Sequence, residues 1–444
     1  MTVRVYKSTD TNAPIITASA GALIQLLDAC LVNGYGSTRA SATVTVGTTV
    51  SDGDTITIDG ITYTWKTALT PSANQVLIGV SAATNLSNLA AAIADSGVRN
   101  INYGTGTTQQ TNVFVSALTT TVLTLTAFKG GTAGNSIAIS KSAANITLGG
   151  ATLSGGAGTD TTTAAGWAKS FAGTNTAMYR PSAGNQFYLN VLDNAPGAGL
   201  ATEARISGFE VATSATAGTF QFPTVSQRAT NMFARKSVSG APQTARPWFV
   251  IADERTVYVF ISSEGSTQYT SFMFGEIYSY LSGDGFRTVI IGRHTENSAS
   301  VTAADESLGA VVINIQTGQN ASYVARTYSG LGGSEAITKV GDAAMSGGST
   351  ALLGVCPFPN PVDGALYLSR VYVHGTTGTP ANHRRGYLRG FYQFLHSVGG
   401  VVDGDTFVGA AGTEFAGKTF MIIEIGGTSG VFCMEISNTW DTSA

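Results

Sequence analysis

The sequence predicts an α+β chain, mainly β, in which an antiparallel-sheet domain with a docked N-terminal helix is interrupted by a small β-rich domain carrying one helix. Three observations lead there. Short alternating apolar runs are punctuated throughout by Gly, Asn, Asp and Pro, with 54 glycines in 444 residues, as expected of many short strands joined by turns. Two stretches, one near the N-terminus and one near residue 90, carry apolar residues at helical spacing. Between Gly36 and Trp167 the composition shifts to a Thr/Ser/Gly/Ala tract that contains no Glu, and an aromatic-rich β pattern then resumes. A domain spliced into a surface loop accounts for this, because lengthening a loop adds only a slowly rising closure entropy.

Taken in order, residues 2–6 alternate as a short strand. Ser19 then offers an N-cap for a helix with Leu23, Ile24, Leu27, Cys30 and Leu31 on one face. Asn33-Gly34 is its stop signal. This helix is expected to dock on the main sheet, so residues 1–37 and 164–444 are assigned to one main domain and residues 38–163 to the insert.

Within the insert, Asp59-Gly60 between two alternating runs signals a hairpin, since Asp-Gly supplies the positive φ angles of a type I′ turn. Ile56, Ile58, Ile61, Tyr63 and Trp65 are the strand residues around it. Leu86, Leu89, Ala90 and Ile93 fit one helical face, and β runs follow at 113–128 and 136–140. A flexible linker over 149–160 leads out. In the main domain, strands are expected at 186–192, 203–211, 247–251, 257–261, 288–291, 311–315 and 367–373. A closing hairpin is expected from 419–425 and 430–436 around Gly426-Gly427.

Charged residues make up 11% of the chain, against about 25% in a typical soluble protein. Such a surface lacks strong charge repulsion and suits a molecule packed against neighbours. With a net charge of −3 no basic face is expected, so nucleic acid is not a predicted partner. Gln25 and Asp28 interrupt the N-terminal apolar stretch, and neither an export signal nor a membrane span is expected. Cys30, Cys356 and Cys433 read as reduced core residues.

Catalytic motifs are sought and not found. No Ser has Gly two positions away on both sides, as a nucleophile elbow requires. The four histidines lack the spacing that puts two imidazoles on one helix face, and no Cys-x-x-Cys occurs. Carboxylate pairs at Asp52/Asp54, Asp253/Glu254 and Asp403/Asp405 sit at Gly-rich turns or strand ends, where Asp accepts backbone hydrogen bonds. A polysaccharide depolymerase would need Asp253 and Glu254 in a groove. Gly130-Gly131 and Gly134 lack the Lys-Ser/Thr ending of a phosphate cradle. No enzyme activity, metal or cofactor is therefore predicted.

One segment concentrates binding chemistry: Arg384, Arg385, Tyr387, Arg389, Phe391 and Tyr392 gather three arginines and three aromatics in a charge-poor chain. Arg and Tyr recur at interface hot spots, and this stretch is the candidate assembly interface. The competing reading is an ordinary element over the core.

The frame from Leu26 to Gly36, with Gly166-Trp167 and Tyr179-Arg180, resembles the opening of virion structural proteins of contractile-tailed bacteriophages. Ala245-Arg246-Pro247-Trp248, Phe274-Gly275-Glu276-Ile277, the 384–390 stretch and Ala416-Gly417-Lys418-Thr419-Phe420 extend the resemblance to the C-terminus, and within that group it is closest to the collar or neck proteins of Pseudomonas-type myophages. The stretch from Asp52 to Trp65 is similar to modules that recur in phage particle proteins. The resemblance implies a virion component without an active site, assembled in the host cytoplasm. Its partners would be copies of itself in a ring and other neck proteins of the connector, tail or capsid. The alternative is a baseplate or fibre-associated protein whose insert binds a host-surface glycan, with Tyr63 and Trp65 as stacking faces, although two rings at positions two apart on a strand more often share one face as plain core packing.

Overall fold

The computed structural model describes residues 2–94, 98–107, 110, 112–173, 175–193, 203–228, 232–237, 244–262, 270–292, 322–340, 368–376, 383–394, 401–424, 431–437 and 439–443. They form two compact units, Met1–Ser8 with Ala165–Ala444, and Thr9–Ala164. The expected strand at 311–315 and Cys356 lie outside the described residues.

The larger unit is built on a long antiparallel sheet. Arg4–Lys7 is its first edge, with Tyr6 opposite Val250 of Trp248–Ala252. The order continues through Thr256–Ile261, Thr270–Glu276, Thr288–Gly292, Ser322–Val324, Glu335–Val340, Leu368–Gly375 and Arg384–Phe394. Val431–Glu435, Thr419–Glu424 and Thr406–Val408 complete it. Val, Ile, Phe and Tyr dominate these runs because branched and aromatic side chains fit a pleated, buried surface.

The sheet curls until strands far apart in its order meet. Ile251, Tyr258 and Met273 share one core cluster with Phe391, Met421 and Phe432, and the Tyr258 and Phe391 rings stack at 5.8 Å. Thr419–Glu424 and Val431–Glu435 do form the expected closing pair, Ile422 opposite Cys433. A second sheet runs Ala168–Gly173, Thr176–Arg180, Tyr188–Asp193, Glu203–Ala212 and Gly218–Phe222, with Phe233–Arg235 also pairing to Glu203–Ala212. It meets the first through Trp167 and Phe222, whose rings lie 6.2 Å from that of Phe274.

In the smaller unit two four-stranded sheets, one of Ser41–Val46, Val113–Leu118, Val122–Ala127 and Ile146–Leu148, the other of Thr55–Ile58, Ile61–Lys66, Gln75–Leu77 and Ile139–Lys141, share a core with the helix Ala82–Ala94. The hairpin turn is as its residues dictate: Asp59 has φ +48°, Gly60 has φ +78°, and Ile58 pairs with Ile61. Leu86, Leu89, Ala90 and Ile93 face inward at 0%, 0%, 5% and 1% exposure. Tyr63 and Trp65 are wholly buried, which makes them core side chains and removes them as stacking faces for sugar.

The N-terminal helix departs from expectation. Ala22–Leu27 continues as a π-helical turn, Asp28–Asn33, and the whole element belongs to the Thr9–Ala164 unit, with the boundary after Ser8 in place of residue 37. The Ala20 N–H donates to the Ala94 carbonyl at 3.3 Å. Leu23, Leu26, Leu27, Cys30 and Leu31 are all fully buried, so the apolar stripe is wide and needs cover on several sides. A stem explains the location: Tyr35 bridges Thr162, Thr38 bridges Ala157, and Ser41 bridges Ser154, all antiparallel. A Cβ on Gly34 would strike the Thr162 carbonyl oxygen. Outgoing and returning chains thus run side by side, as a spliced-in domain requires.

Leu89→Ala removes a fully buried side chain from the helix–sheet interface of the smaller unit. It is expected to cost about 2–5 kcal/mol, measured as a lowered midpoint in urea unfolding followed by circular dichroism.

Candidate functional site

The Arg-rich segment is the strand Arg384–Phe394, and its side chains are turned into the larger unit. Arg385 and Arg389 are each 1% exposed, and Tyr387, Phe391 and Tyr392 are buried; Arg384 alone of the six is exposed. The assembly-interface reading is therefore corrected for five of these residues, because a side chain enclosed within its own chain presents nothing to a partner. Arg384 lies over the Tyr372 ring at 4.1 Å.

A bulge turns the arginines inward. Arg370 pairs with Tyr392 and Tyr372 with Tyr387, so residues 388–391 stand opposite Val371. Gly390 carries φ +68°, and a Cβ there would collide with the Trp440 indole. Only glycine meets both demands. Arg389 then reaches Asp253, Nη2 to Oδ2 2.6 Å, while Nη1 donates to Thr256 Oγ1 at 2.9 Å and Nε to the Asp441 carbonyl at 2.7 Å. Asp253 also accepts from the Arg255 and Thr256 amides, both at 2.8 Å. It is a buried turn acceptor and ion-pair partner, 0% exposed.

Arg385 forks onto Asp284, Nε to Oδ2 3.0 Å and Nη2 to Oδ1 2.9 Å, and donates to the Arg326 carbonyl at 2.6 Å. Arg326 in turn forks onto Glu210, both contacts 2.6 Å, with its guanidinium between the Phe220 and Phe286 rings. Glu276 holds Arg255 and Arg287 at 2.9 and 3.1 Å. Tyr387 donates to Asp441 at 2.8 Å and stacks on Tyr278 at 4.6 Å. Burial pushes the Tyr387 and Tyr392 phenols well above their usual range. Such forks fix geometry as much as they supply energy.

The other carboxylate pairs also act as turn acceptors. Asp52 takes the Thr67 amide at 2.8 Å, Asp54 the Ser51 amide at 2.7 Å, and Asp405 the Val402 amide at 2.9 Å. Cys30 and Cys433 are buried free thiols, pushed well above their usual pKa by burial. Among the described residues no cluster of His, Cys, Asp and Glu is arranged to hold a metal ion.

A pocket of about 490 Å³ opens in the smaller unit. Its wall is formed by the π-helical turn, through Asp28 and Asn33, and by Arg39, Asp59, Asn112, Phe114, Phe128, Lys129 and Asp160. Gly130 and Gly134, dismissed as a phosphate cradle, line it too. Phe114 and Phe128 stack at 4.8 Å, and the Arg39 guanidinium lies 5.8 Å from the Phe114 centroid. Burial lowers the Arg39 pKa against the opposing charge of Asp160. These residues come from segments scattered over more than a hundred positions and carry no local motif.

No protein-family model matches this chain, and no curated protein sequence matches it.

Two outcomes follow from the buried pairs. Arg389→Met strands Asp253 without its partner and is expected to cost about 3–5 kcal/mol; chemical denaturation of the single variants and of Arg389→Met with Asp253→Leu should give a double variant less destabilised than the sum. For Asp284, burial would raise the pKa, but the hydrogen bonds and charge of Arg385, with Ser279 and the Phe286 amide, outweigh it and hold the carboxyl below its usual value. Its stabilising effect is complete above the unfolded carboxyl value of about 3.9 and is lost as pH falls through the lower folded value. Stability against pH, followed from pH 6 downward on the order of four units, should slope less steeply in Asp284→Asn than in the natural chain.

Proposed function

We propose that this chain is a structural component of a tailed-phage virion, a collar protein that assembles in copies around the head-to-tail neck. The reading is supported by the order of motifs that resembles such proteins, and those motif residues carry the fold: Trp167, Trp248, Glu276, Arg385 and Arg389 are all buried. The observation that carries self-assembly is an exposed apolar group on the larger unit. Phe220 is 62% exposed, Val225 64%, Tyr328 48% and Leu331 91%. They sit on two segments joined by the Arg326–Phe220 contact at 4.6 Å and by a hydrogen bond from Gln227 to the Ser334 carbonyl at 2.9 Å. Exposed apolar groups of this kind on a charge-poor surface suit contact with sibling copies.

A second reading, glycan recognition by the smaller unit, is favoured by its pocket, where a stacked aromatic pair stands beside amide, carboxylate and guanidinium groups suited to sugar hydroxyls. It moves from Tyr63 and Trp65 to Phe114 and Phe128. A glycan array probed with the full chain and with Phe114→Ala separates the two: sugar binding that the substitution abolishes favours the second reading.

For the collar reading, Val225→Glu with Leu331→Glu is expected to shift the chain from oligomer to monomer in sedimentation velocity, with stability changed by no more than about 0.5 kcal/mol per site. Electron microscopy of particles should find the chain at the neck. A location confined to the distal end of the tail would refute the assignment.

A further inference from the structure

The pocket of the smaller unit holds two positive charges without acceptors. Phe114 stands opposite Thr126 in the ladder, and the Phe128 amide donates to the Asn112 carbonyl at 3.0 Å, so Phe114 and Phe128 share one face of the sheet. Thr126 also pairs with Ser41, and Arg39, two residues before Ser41, lies over the Phe114 ring at 5.8 Å. Arg39 is half-buried and Lys129 exposed, and both line the pocket. Among the described residues the Arg39 guanidinium has no hydrogen-bond acceptor; its contacts are the Phe114 ring and the charge of Asp160. The Lys129 ammonium has no acceptor either.

The carboxylates of the same wall are already engaged. Asp59 Oδ2 accepts from Asn112 Nδ2 at 2.7 Å, Asp160 Oδ1 accepts from the Ser37 amide at 3.2 Å and from the Ser37 hydroxyl, and Asp28 also interacts within the chain. By formal count the wall is acidic, yet the charges that lack a partner are both positive. A charge-assisted contact at hydrogen-bond distance outweighs repulsion from carboxylates that are hydrogen-bonded and partly solvated. Burial strips water from the Arg39 guanidinium and lowers its proton affinity, and no hydrogen bond within the chain offsets that loss. An anion in the pocket would.

We infer that the pocket takes a sugar bearing a carboxylate, a uronic or sialic acid residue, with Arg39 on the carboxylate, the ring against Phe114 and Phe128, and Lys129 as a second positive charge. A guanidinium stacked on an aromatic ring keeps its edge free, and that edge matches a carboxylate in two parallel hydrogen bonds. The apolar face of a sugar ring packs on aromatic carbon, which fixes the ring while the charge contact fixes its orientation. The inference rests on the glycan reading of this pocket and is independent of the collar reading. It adds to that reading the chemical class of sugar selected and the side chain that selects it.

Titration calorimetry of the full chain with a matched panel tests this: oligogalacturonate, oligoglucuronate and sialyllactose, the methyl esters of the same sugars, and lactose as a neutral sugar. The esters keep the ring and remove the charge. At least one acidic sugar is expected to bind about tenfold or more tightly than its ester, with an affinity that falls as salt rises. Arg39→Gln should erase that preference and keep the weaker binding of the ester, whereas Phe114→Ala should abolish both. Lys129→Gln, at an exposed position, should weaken the acid alone, and with the ester comparison it decides the matter even if Arg39→Gln fails to fold. Equal affinity for acid and ester, or a preference that survives both charge substitutions, overturns this inference and leaves the glycan reading standing. Binding of no sugar on the panel overturns both.

Discussion

The larger unit depends on the Arg389–Asp253 ion pair. It joins a strand near the C-terminal end of the sheet to a turn between two strands near the other end. The Tyr258 hydroxyl donates to the Arg389 carbonyl at 2.9 Å, the Trp167 indole to the Asp253 carbonyl at 2.7 Å, and the Trp440 indole to the Glu435 carbonyl at 2.7 Å. The Tyr258, Trp167 and Trp440 rings are thereby oriented by polar contacts. Greasy side chains alone would let the sheet curl to several similar closures, whereas a planar guanidinium with defined acceptors admits one.

That arrangement bears on how a charge-poor protein uses the few charges it has. Arg385, Arg389, Asp253, Asp284 and Glu276 are all buried, which takes charges from a surface already poor in them and leaves it richer in hydroxyls, amides and apolar groups. Solubility then rests on hydration of Thr, Ser and Asn, and contact between molecules is opposed by little repulsion. The assembly reading and the internal ion pairs are two sides of one allocation of charge.

Local chemistry was legible in the sequence and long-range partnership was not. The Asp59-Gly60 turn, the inward face of Ala82–Ala94 and the closing strand pair follow from periodicity and turn preference, which act over a few residues. The arginines of 384–389 read as a surface cluster because their partners, Asp253 and Asp284, lie more than 95 positions away. Their glycines at 386 and 390 were the available signal: a Cβ at either would strike Tyr278 or Trp440, the mark of a strand crowded on both faces. The N-terminal boundary was missed for a related reason. An amphipathic stripe shows that a helix must be covered, and it carries no label for which sheet does so. The pocket wall was invisible because Arg39, Phe114 and Asp160 are unremarkable one at a time.

The edge strand Arg4–Lys7 has an implication for how this chain comes off the ribosome. Its partner, Trp248–Ala252, is made only after all of Thr9–Ala164 and the second sheet's strands. The smaller unit can therefore close while the first few residues still wait, unpaired, for a neighbour not yet translated. A nascent chain stalled in that interval would expose a short strand with free backbone donors.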